Sequence, residues 1–321
     1  MAVYTHVSDA ALAAFLSDYA LGEAVTFKGI AEGVENSNYF LETTQGKYIL
    51  TLFEKRVRAE DLPFFVDLKQ HLAAKHFPCP LPIAGRDGDT LRPLAGRTAL
   101  IISFLPGLSP RLPSRAQCHA LGAGLARLHQ AAADYDGQRE NSLGPLSWPR
   151  LWQGRDRQAE ALRPGLSRDI IADLDRLKTL AASMQALPQG IIHADLFPDN
   201  AFFMDDKLTG VIDFYFACTG ALAYDLAICL NAWAFGQDGT FNFPKAQSLI
   251  LGYTSIRPLL AQEKALFPAL CHGSAMRFFL TRLIDWSDTP PDAWVQPKDP
   301  LDYANRLAFH RRCESLSDYG L

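Results

Sequence analysis

The chain lacks a membrane span. No apolar run approaches the ~18 residues that crossing a bilayer requires, and Asp9 and Asp18 interrupt the apolar stretch near the N-terminus, which also lacks a basic leader. A strong charge of either sign is missing too. The formal net charge is −4 and the pI about 6.1, which gives no footing for a nucleic-acid or membrane-surface partner. The six cysteines (Cys79, Cys118, Cys218, Cys229, Cys271 and Cys313) are scattered, with no C-x-x-C or metal-type spacing. They are expected as reduced, mostly buried thiols. Internal repeats and low-complexity tracts are absent, and so is a Gly-x-Gly-x-x-Gly phosphate loop. These absences lead to the expectation of a soluble cytoplasmic protein.

What is present is an ordinary globular composition. The 321 residues are 48% hydrophobic, enough for a large core and more naturally divided into two lobes than kept as one. Ser8-Asp9 opens an amphipathic helix through Leu12, Phe15 and Leu16. The period then changes, predicting strands at 25–30, 39–43 and 48–53, with turn chemistry over 33–38 and at Gln45-Gly46. A helix fits 62–75, ended by Pro78-Cys79-Pro80, and short strands follow at 81–84, 90–94 and 98–104. The proline-bearing stretch 106–113 reads as a linker. Beyond it helices are expected at 115–132, 150–161, 167–186, 221–235, 244–257, 262–286 (with Pro268 inside) and 299–313, interrupted by short strands within 190–213. The expectation is therefore α+β: a small strand-rich lobe, 1–104, and a larger helical lobe, 105–321, an architecture suited to a ligand held between them.

The densest chemistry lies in Ile191-Ile-His-Ala-Asp195-Leu-Phe-Pro-Asp-Asn200, followed thirteen residues later by Asp213 in Ile212-Asp-Phe214. An aspartate two residues after a histidine, an asparagine five residues on, and a strand ending in Asp-Phe match the spacing of a kinase catalytic loop and its metal-binding aspartate. Phosphoryl transfer needs a carboxylate at the acceptor hydroxyl and hard oxygen ligands for Mg²⁺ across the nucleotide phosphates. Asp195 is expected in the first role, Asn200 and Asp213 in the second, and His193 as an organiser of the loop. Asp199 is expected to serve the turn.

These strings resemble the H-G-D-x-x-x-x-N motif of the aminoglycoside phosphotransferase and choline kinase superfamily, with Ala194 in place of the usual glycine. Longer strings, including Val34-Glu-Asn-Ser-Asn-Tyr39, Tyr48-Ile-Leu-Thr-Leu-Phe-Glu54, Asp213-Phe-Tyr-Phe-Ala-Cys218 and Arg277-Phe-Phe-Leu-Thr-Arg282, resemble the homoserine kinases of that protein-kinase-like fold. The resemblance spans about 34–302. It implies a two-lobed fold with an antiparallel N-terminal sheet, ATP and Mg²⁺ as cofactors, an amino acid with a hydroxyl as substrate, and a place in threonine biosynthesis. It also implies that backbone groups at Ser103 and Leu105 contact adenine, and that Asp225 is a structural buttress.

Departures from the kinase pattern are equally visible. The phosphate loop would have to be built from Gly33 to Asn38, with backbone amides and the side chains of Asn36, Ser37 and Asn38 as donors. The strand lysine and its helix glutamate fall at Thr51 and Phe65, so both members of the usual ion pair are missing together. Lys47 and Lys55 are the nearby basic candidates. For a homoserine acceptor, Arg277 and Arg282 are candidates for the carboxylate, Asp285 for the ammonium, and Tyr215 and Asn231 for the pocket wall. Competing readings are a choline or ethanolamine kinase using Trp152, Trp233, Trp286 and Trp294 as an aromatic box, an aminoglycoside kinase, and a nucleotide-binding pseudokinase.

Overall fold

The computed structural model describes residues 4–30, 36–54, 57–290 and 296–320. The chain divides into two compact units, Met1–Pro106 and Gly107–Leu321.

In the first unit α1 (Asp9–Leu16) precedes β1 (Ala24–Gly29), β2 (Asn36–Thr43) and β3 (Gly46–Phe53); α2 (Leu62–Ala74), β4 (Leu91–Leu94) and β5 (Arg97–Ser103) complete it. The five strands form an antiparallel sheet in the order β1-β2-β3-β5-β4. Period-two alternation sends Tyr39, Leu41, Leu50, Leu52, Ala99 and Ile101 to one face, where Leu12, Phe15 and Leu16 of α1 bury them. Ser8 caps α1 as its sequence predicts, its hydroxyl accepting from the Ala11 amide at 3.3 Å. The stretch 81–84 forms no strand; only Pro82 bridges to Ile102, since prolines at 80 and 82 withhold ladder donors.

The second unit runs α3 (Arg115–Ala131), α4 (Trp148–Trp152), α5 (Asp156–Leu162), α6 (Leu166–Arg176), α7 (Leu180–Gln185), β6 (Gln189–Ile192), β7 (Ala201–Met204), β8 (Lys207–Val211), β9 (Cys218–Ala221), α8 (Leu222–Trp233), α9 (Phe243–Thr254), α10 (Ala261–Asp288) and α11 (Leu301–His310). The helix expected at 150–161 breaks because Gly154 turns left-handed, at φ +76°. Conversely, α10 runs straight through Pro268. The carbonyl that loses its partner there belongs to Lys264, an exposed residue. The strand β9, which the sequence did not signal, pairs with β6.

Two glycines set the crossing of α3 and α9. A Cβ on Gly122 would collide with the Leu249 carbonyl, and one on Gly252 with the His119 carbonyl. Behind that crossing α10 packs along α8 and α11. There a buried polar link closes the core: Asn231 donates to the Cys271 carbonyl (2.8 Å) and accepts from His310 Nε2 (2.9 Å), while His310 Nδ1 meets the Tyr319 hydroxyl (3.0 Å). All six cysteines are buried free thiols. Among the described residues no helix is long and apolar enough to cross a membrane.

The helix crossing and the buried polar link can each be tested. Gly122→Ala should lower stability by about 1–3 kcal/mol through overpacking, read as the urea midpoint; an unshifted midpoint would refute the close crossing. Burial pushes the His310 imidazole well below its ordinary range, with the nearby His272 and Arg306 acting in the same direction. It is therefore neutral in the fold, whereas the unfolded chain takes up a proton below about pH 6.5. Its contribution is full above that pH and is lost as pH falls. His310→Asn should therefore show a shallower dependence of unfolding free energy on pH between about 5 and 6.5 than the parent chain. An equal slope would mean that this histidine does not titrate on unfolding.

Candidate active site

The strand β6 delivers the chain into His193, and every step of the following loop is held by a named partner. Asp225, in the first turn of α8 and fully buried, accepts from the His193 amide (2.7 Å, Oδ2) and the Ala194 amide (2.9 Å, Oδ1). Arg277 of α10 donates to the Ala194 carbonyl. The Asn200 amide nitrogen donates to the Asp195 carbonyl (2.8 Å) and to its carboxylate (3.3 Å). The indole of Trp233 donates to the Leu196 carbonyl at 2.8 Å. Buried backbone groups must find partners, and these side chains supply them where no strand or helix ladder can.

The reason is conformational. Ala194 sits at φ +63°, the left-handed region that costs a non-glycine residue about 1–2 kcal/mol. Position 194 is where the resembled motif carries glycine, and here the surrounding hydrogen bonds maintain the same turn with a methyl group present.

His193 ties this loop to the second half of the motif. Its Nε2 meets the Ile212 carbonyl at 2.9 Å and its Nδ1 accepts from the Asp195 amide at 3.2 Å. The carbonyl fixes the proton on Nε2 and leaves Nδ1 as acceptor. Burial pushes the imidazole below its usual range, against the opposing pull of Asp225, which agrees with this neutral tautomer. The Ile212 amide in turn donates to the Asn200 carbonyl at 3.0 Å. The β7–β8 hairpin thus returns the chain so that Asp213, half-buried and left-handed at φ 62°, ψ 61°, follows the residue held by both His193 and Asn200.

Behind Asp225 stands a buried relay. His129 Nε2 lies 3.2 Å from the Asp225 carboxylate, and its Nδ1 is 2.9 Å from the Tyr253 hydroxyl. Burial alone would raise the Asp225 pKa. The hydrogen bonds from His129 and the His193 amide, with the electrostatic pull of both imidazole rings, outweigh it and hold the carboxyl below its ordinary value.

The other predicted residues fall into place differently. Asn36, Ser37 and Asn38 form no turn; they begin β2, laddered to Phe53, Leu52 and Thr51. Ser37 faces the α1 side, where its hydroxyl accepts from the Tyr4 and Thr5 amides (2.9 and 3.0 Å) and donates to Glu54 (2.6 Å). This corrects its expected role as a phosphate donor. Asn36 and Asn38 share the opposite face with Thr51, whose hydroxyl donates to Asn38 Oδ1 at 2.8 Å; Asn36 accepts from the Glu54 amide at 3.4 Å. Lys47 is exposed in a 4.0 Å pair with Glu42. The Ser103 amide is spent on the Leu81 carbonyl (2.9 Å), whereas among the described residues the Leu105 amide makes no backbone hydrogen bond. Gly33 to Glu35, Lys55 and Trp294 lie outside the described residues.

The residues expected around a substrate need a similar correction. Asn231 is a core link, fully buried. Arg277 is 2% exposed and stacked near Phe278 and Phe216 (4.5 and 5.6 Å). Arg282 pairs with Asp302 at 3.0 Å and lies over Tyr303. Tyr215, half-buried, sits in the 3₁₀ turn directly after Asp213. Trp152 and Trp233 are buried core residues, while Trp286 is exposed, so these three do not present an aromatic box. The sequence pattern alone did not single out His129, Tyr253 or the buried Lys69 of α2. His129 continues the Cys118–Gly122–Leu125 stripe of α3, so a histidine on an apolar helical face was the available signal.

Comparison with known proteins agrees with this geometry. The pattern of the phosphotransferase enzyme family matches residues 26–259. A protein named homoserine kinase from Hyphomonas neptunium is 61% identical over the whole of both chains, and one from Acidiphilium cryptum is 56% identical, again over the whole of both. One from Brucella anthropi is 51% identical, covering all of this chain and 98% of its own. Among solved structures, a microcompartment-associated aminopropanol kinase superposes with a TM-score of 0.69 at 20% identity, covering 98% of this chain and 99% of the other. An amicoumacin kinase gives 0.67 at 17%, covering 96% and 92%. The structural likeness establishes the protein-kinase-like fold. The chain belongs to the phosphotransferase enzyme family and, within it, groups with the proteins named homoserine kinase.

Proposed function

We propose that this protein transfers the γ-phosphoryl group of ATP to the side-chain hydroxyl of L-homoserine, giving O-phospho-L-homoserine and ADP. The observation that carries the reading is the full-length likeness, at 51–61% identity, to proteins named homoserine kinase. It is supported by a loop that holds Asp195 and Asn200 in one hydrogen-bonded unit.

Asp195 serves as the carboxylate at the acceptor. It orients the hydroxyl and takes its proton as the oxygen bonds to the γ-phosphorus and the bond to the β,γ-bridging oxygen breaks. The donor set fits a divalent ion. With the Asn200 nitrogen turned to Asp195, its amide oxygen is left as a hard donor, and the Asp213 carboxylate is the second oxygen donor assigned to the ion. Asn200 and Asp213 would hold a Mg²⁺ ion through their side-chain oxygens, hard donors of the kind that ion takes. When bound, the ion neutralises phosphate charge and fixes its orientation. In the first unit, the polar group Asn36, Asn38 and Thr51 and the Leu105 amide are the residues assigned to the nucleotide. Tyr215 is assigned to the acceptor.

The test is ADP release with Mg-ATP against L-homoserine, L-serine, choline, ethanolamine and kanamycin. Turnover confined to homoserine is expected, and a preference for choline or kanamycin would displace the reading. Asp195→Ala should keep the circular-dichroism spectrum and nucleotide binding but lose ~10²–10⁴-fold in kcat; near-normal turnover would remove Asp195 from the acceptor. Asp213→Ala should raise the Mg²⁺ concentration needed for half-maximal rate, and an unchanged titration would reject it as a ligand.

A further inference from the structure

Arg277 is an unusual core residue. It is 2% exposed on the long helix α10, and among the described residues it has no ion-pair partner. A buried charge without a carboxylate is a poor stabiliser, so its retention calls for another use. Its surroundings indicate one. One guanidinium nitrogen holds the Ala194 carbonyl, and the ring of Phe216, three residues after Asp213, lies 5.6 Å away. The side chain therefore holds the loop before Asp195 and lies near the turn that follows Asp213.

We propose that Arg277 is a positioning residue for phosphoryl transfer. It grips the Ala194 carbonyl while Asp225 grips the Ala194 amide, and together they lock the left-handed peptide that sets Asp195. The proposal rests on the reading of Asp195 as the carboxylate at the acceptor. Ala194 gives it its logic. Glycine adopts φ near +60° freely; alanine does so only when the surroundings over-determine it. Asp225 holds the amide side of the turn at 2.9 Å, but the carbonyl side depends on Arg277. One guanidinium nitrogen is committed to the Ala194 carbonyl and Nε is buried without a partner; a substrate carboxylate would have to take the remaining edge as a bidentate pair, and the homoserine KM reports whether it does.

The experiment is steady-state kinetics of the full chain with ATP and L-homoserine for Arg277→Met and Arg277→Lys, each with and without Ala194→Gly. Arg277→Met should lower kcat by on the order of 10²-fold, the cost of misplacing a reacting group, with the homoserine KM nearly unchanged. Lysine keeps one donor and should lose less. Adding Ala194→Gly should recover most of the lost kcat, because the turn no longer needs the clamp. A merely structural role would lower the melting temperature without this rescue. A raised homoserine KM at unchanged kcat would instead make Arg277 a substrate ligand and overturn the proposal, as would a double variant no faster than Arg277→Met. If the methionine variant does not fold, the lysine pair carries the same comparison. Asp195→Ala, assayed alongside, separates the two readings: its full activity would sink the role of Asp195, whereas its inactivity beside a fully active Arg277→Met would sink the clamp alone.

Discussion

The hydrogen bonds from the His193 and Ala194 amides to the buried Asp225 carboxylate are the constraint from which the site follows. A loop that leaves a strand inside a core must find acceptors for its amides, and a carboxylate offers two oxygens in one plane. The distances of 2.7 and 2.9 Å are those of charge-assisted bonds. With both amides fixed by Asp225 and the Ala194 carbonyl held by Arg277, the left-handed conformation of Ala194 is maintained and the Asn200 side chain bonds to Asp195. Removing the carboxylate would orphan two buried amides and the His129 ring donor at once, each worth about 1–3 kcal/mol. No other residue in the second unit carries so much of the local geometry.

The first unit shows the same coherence by subtraction. Near where the resembled pattern would place a strand lysine and a helix glutamate, Thr51 and Phe65 are buried, 3% and 1% exposed. Thr51 turns its hydroxyl to Asn38 directly across the ladder, so a neutral hydrogen bond replaces the charge. Phe65 simply packs. Losing one member alone would have left a buried charge unpaired, which costs far more than losing both.

Much of this architecture is legible in the order of the residues. Alternation locates β1, β2, β3 and β5 to within about three residues because Leu41, Leu50, Leu52 and Ile101 recur at period two on the face packed against α1. The spacing of Asp195, Asn200 and Asp213 is local and survives as written. What the sequence hides depends on partners far apart. Arg277 meets Ala194 across 83 residues, and helical position alone does not separate a substrate clamp from a backbone clamp. Asn36 to Asn38 read as turn formers by composition, yet the β3 ladder overrides that preference. The glycines of α3 and α9 look like helix weaknesses singly and become a crossing only as a pair.

The relay behind Asp225 carries the synthesis one step further. Arg257 donates to Glu263 (2.9 Å) and to the Tyr253 hydroxyl (3.2 Å). With its oxygen accepting there, Tyr253 has its proton to give to His129 Nδ1, and His129 then carries its own proton on Nε2, toward Asp225. The donors thus run in one direction from Arg257 through Tyr253 and His129 to Asp225, which the amides of His193 and Ala194 meet from the other side, and each donor fixes the tautomer or rotor of the next. Such a chain leaves Asp225 with only one arrangement, ionised and accepting from three donors. It follows that the conformation of Ala194, the residue before Asp195, is set by a polar network reaching through α3, α8, α9 and α10. The helices of the second unit therefore form the scaffold that allows an alanine to do what glycine does in the resembled motif.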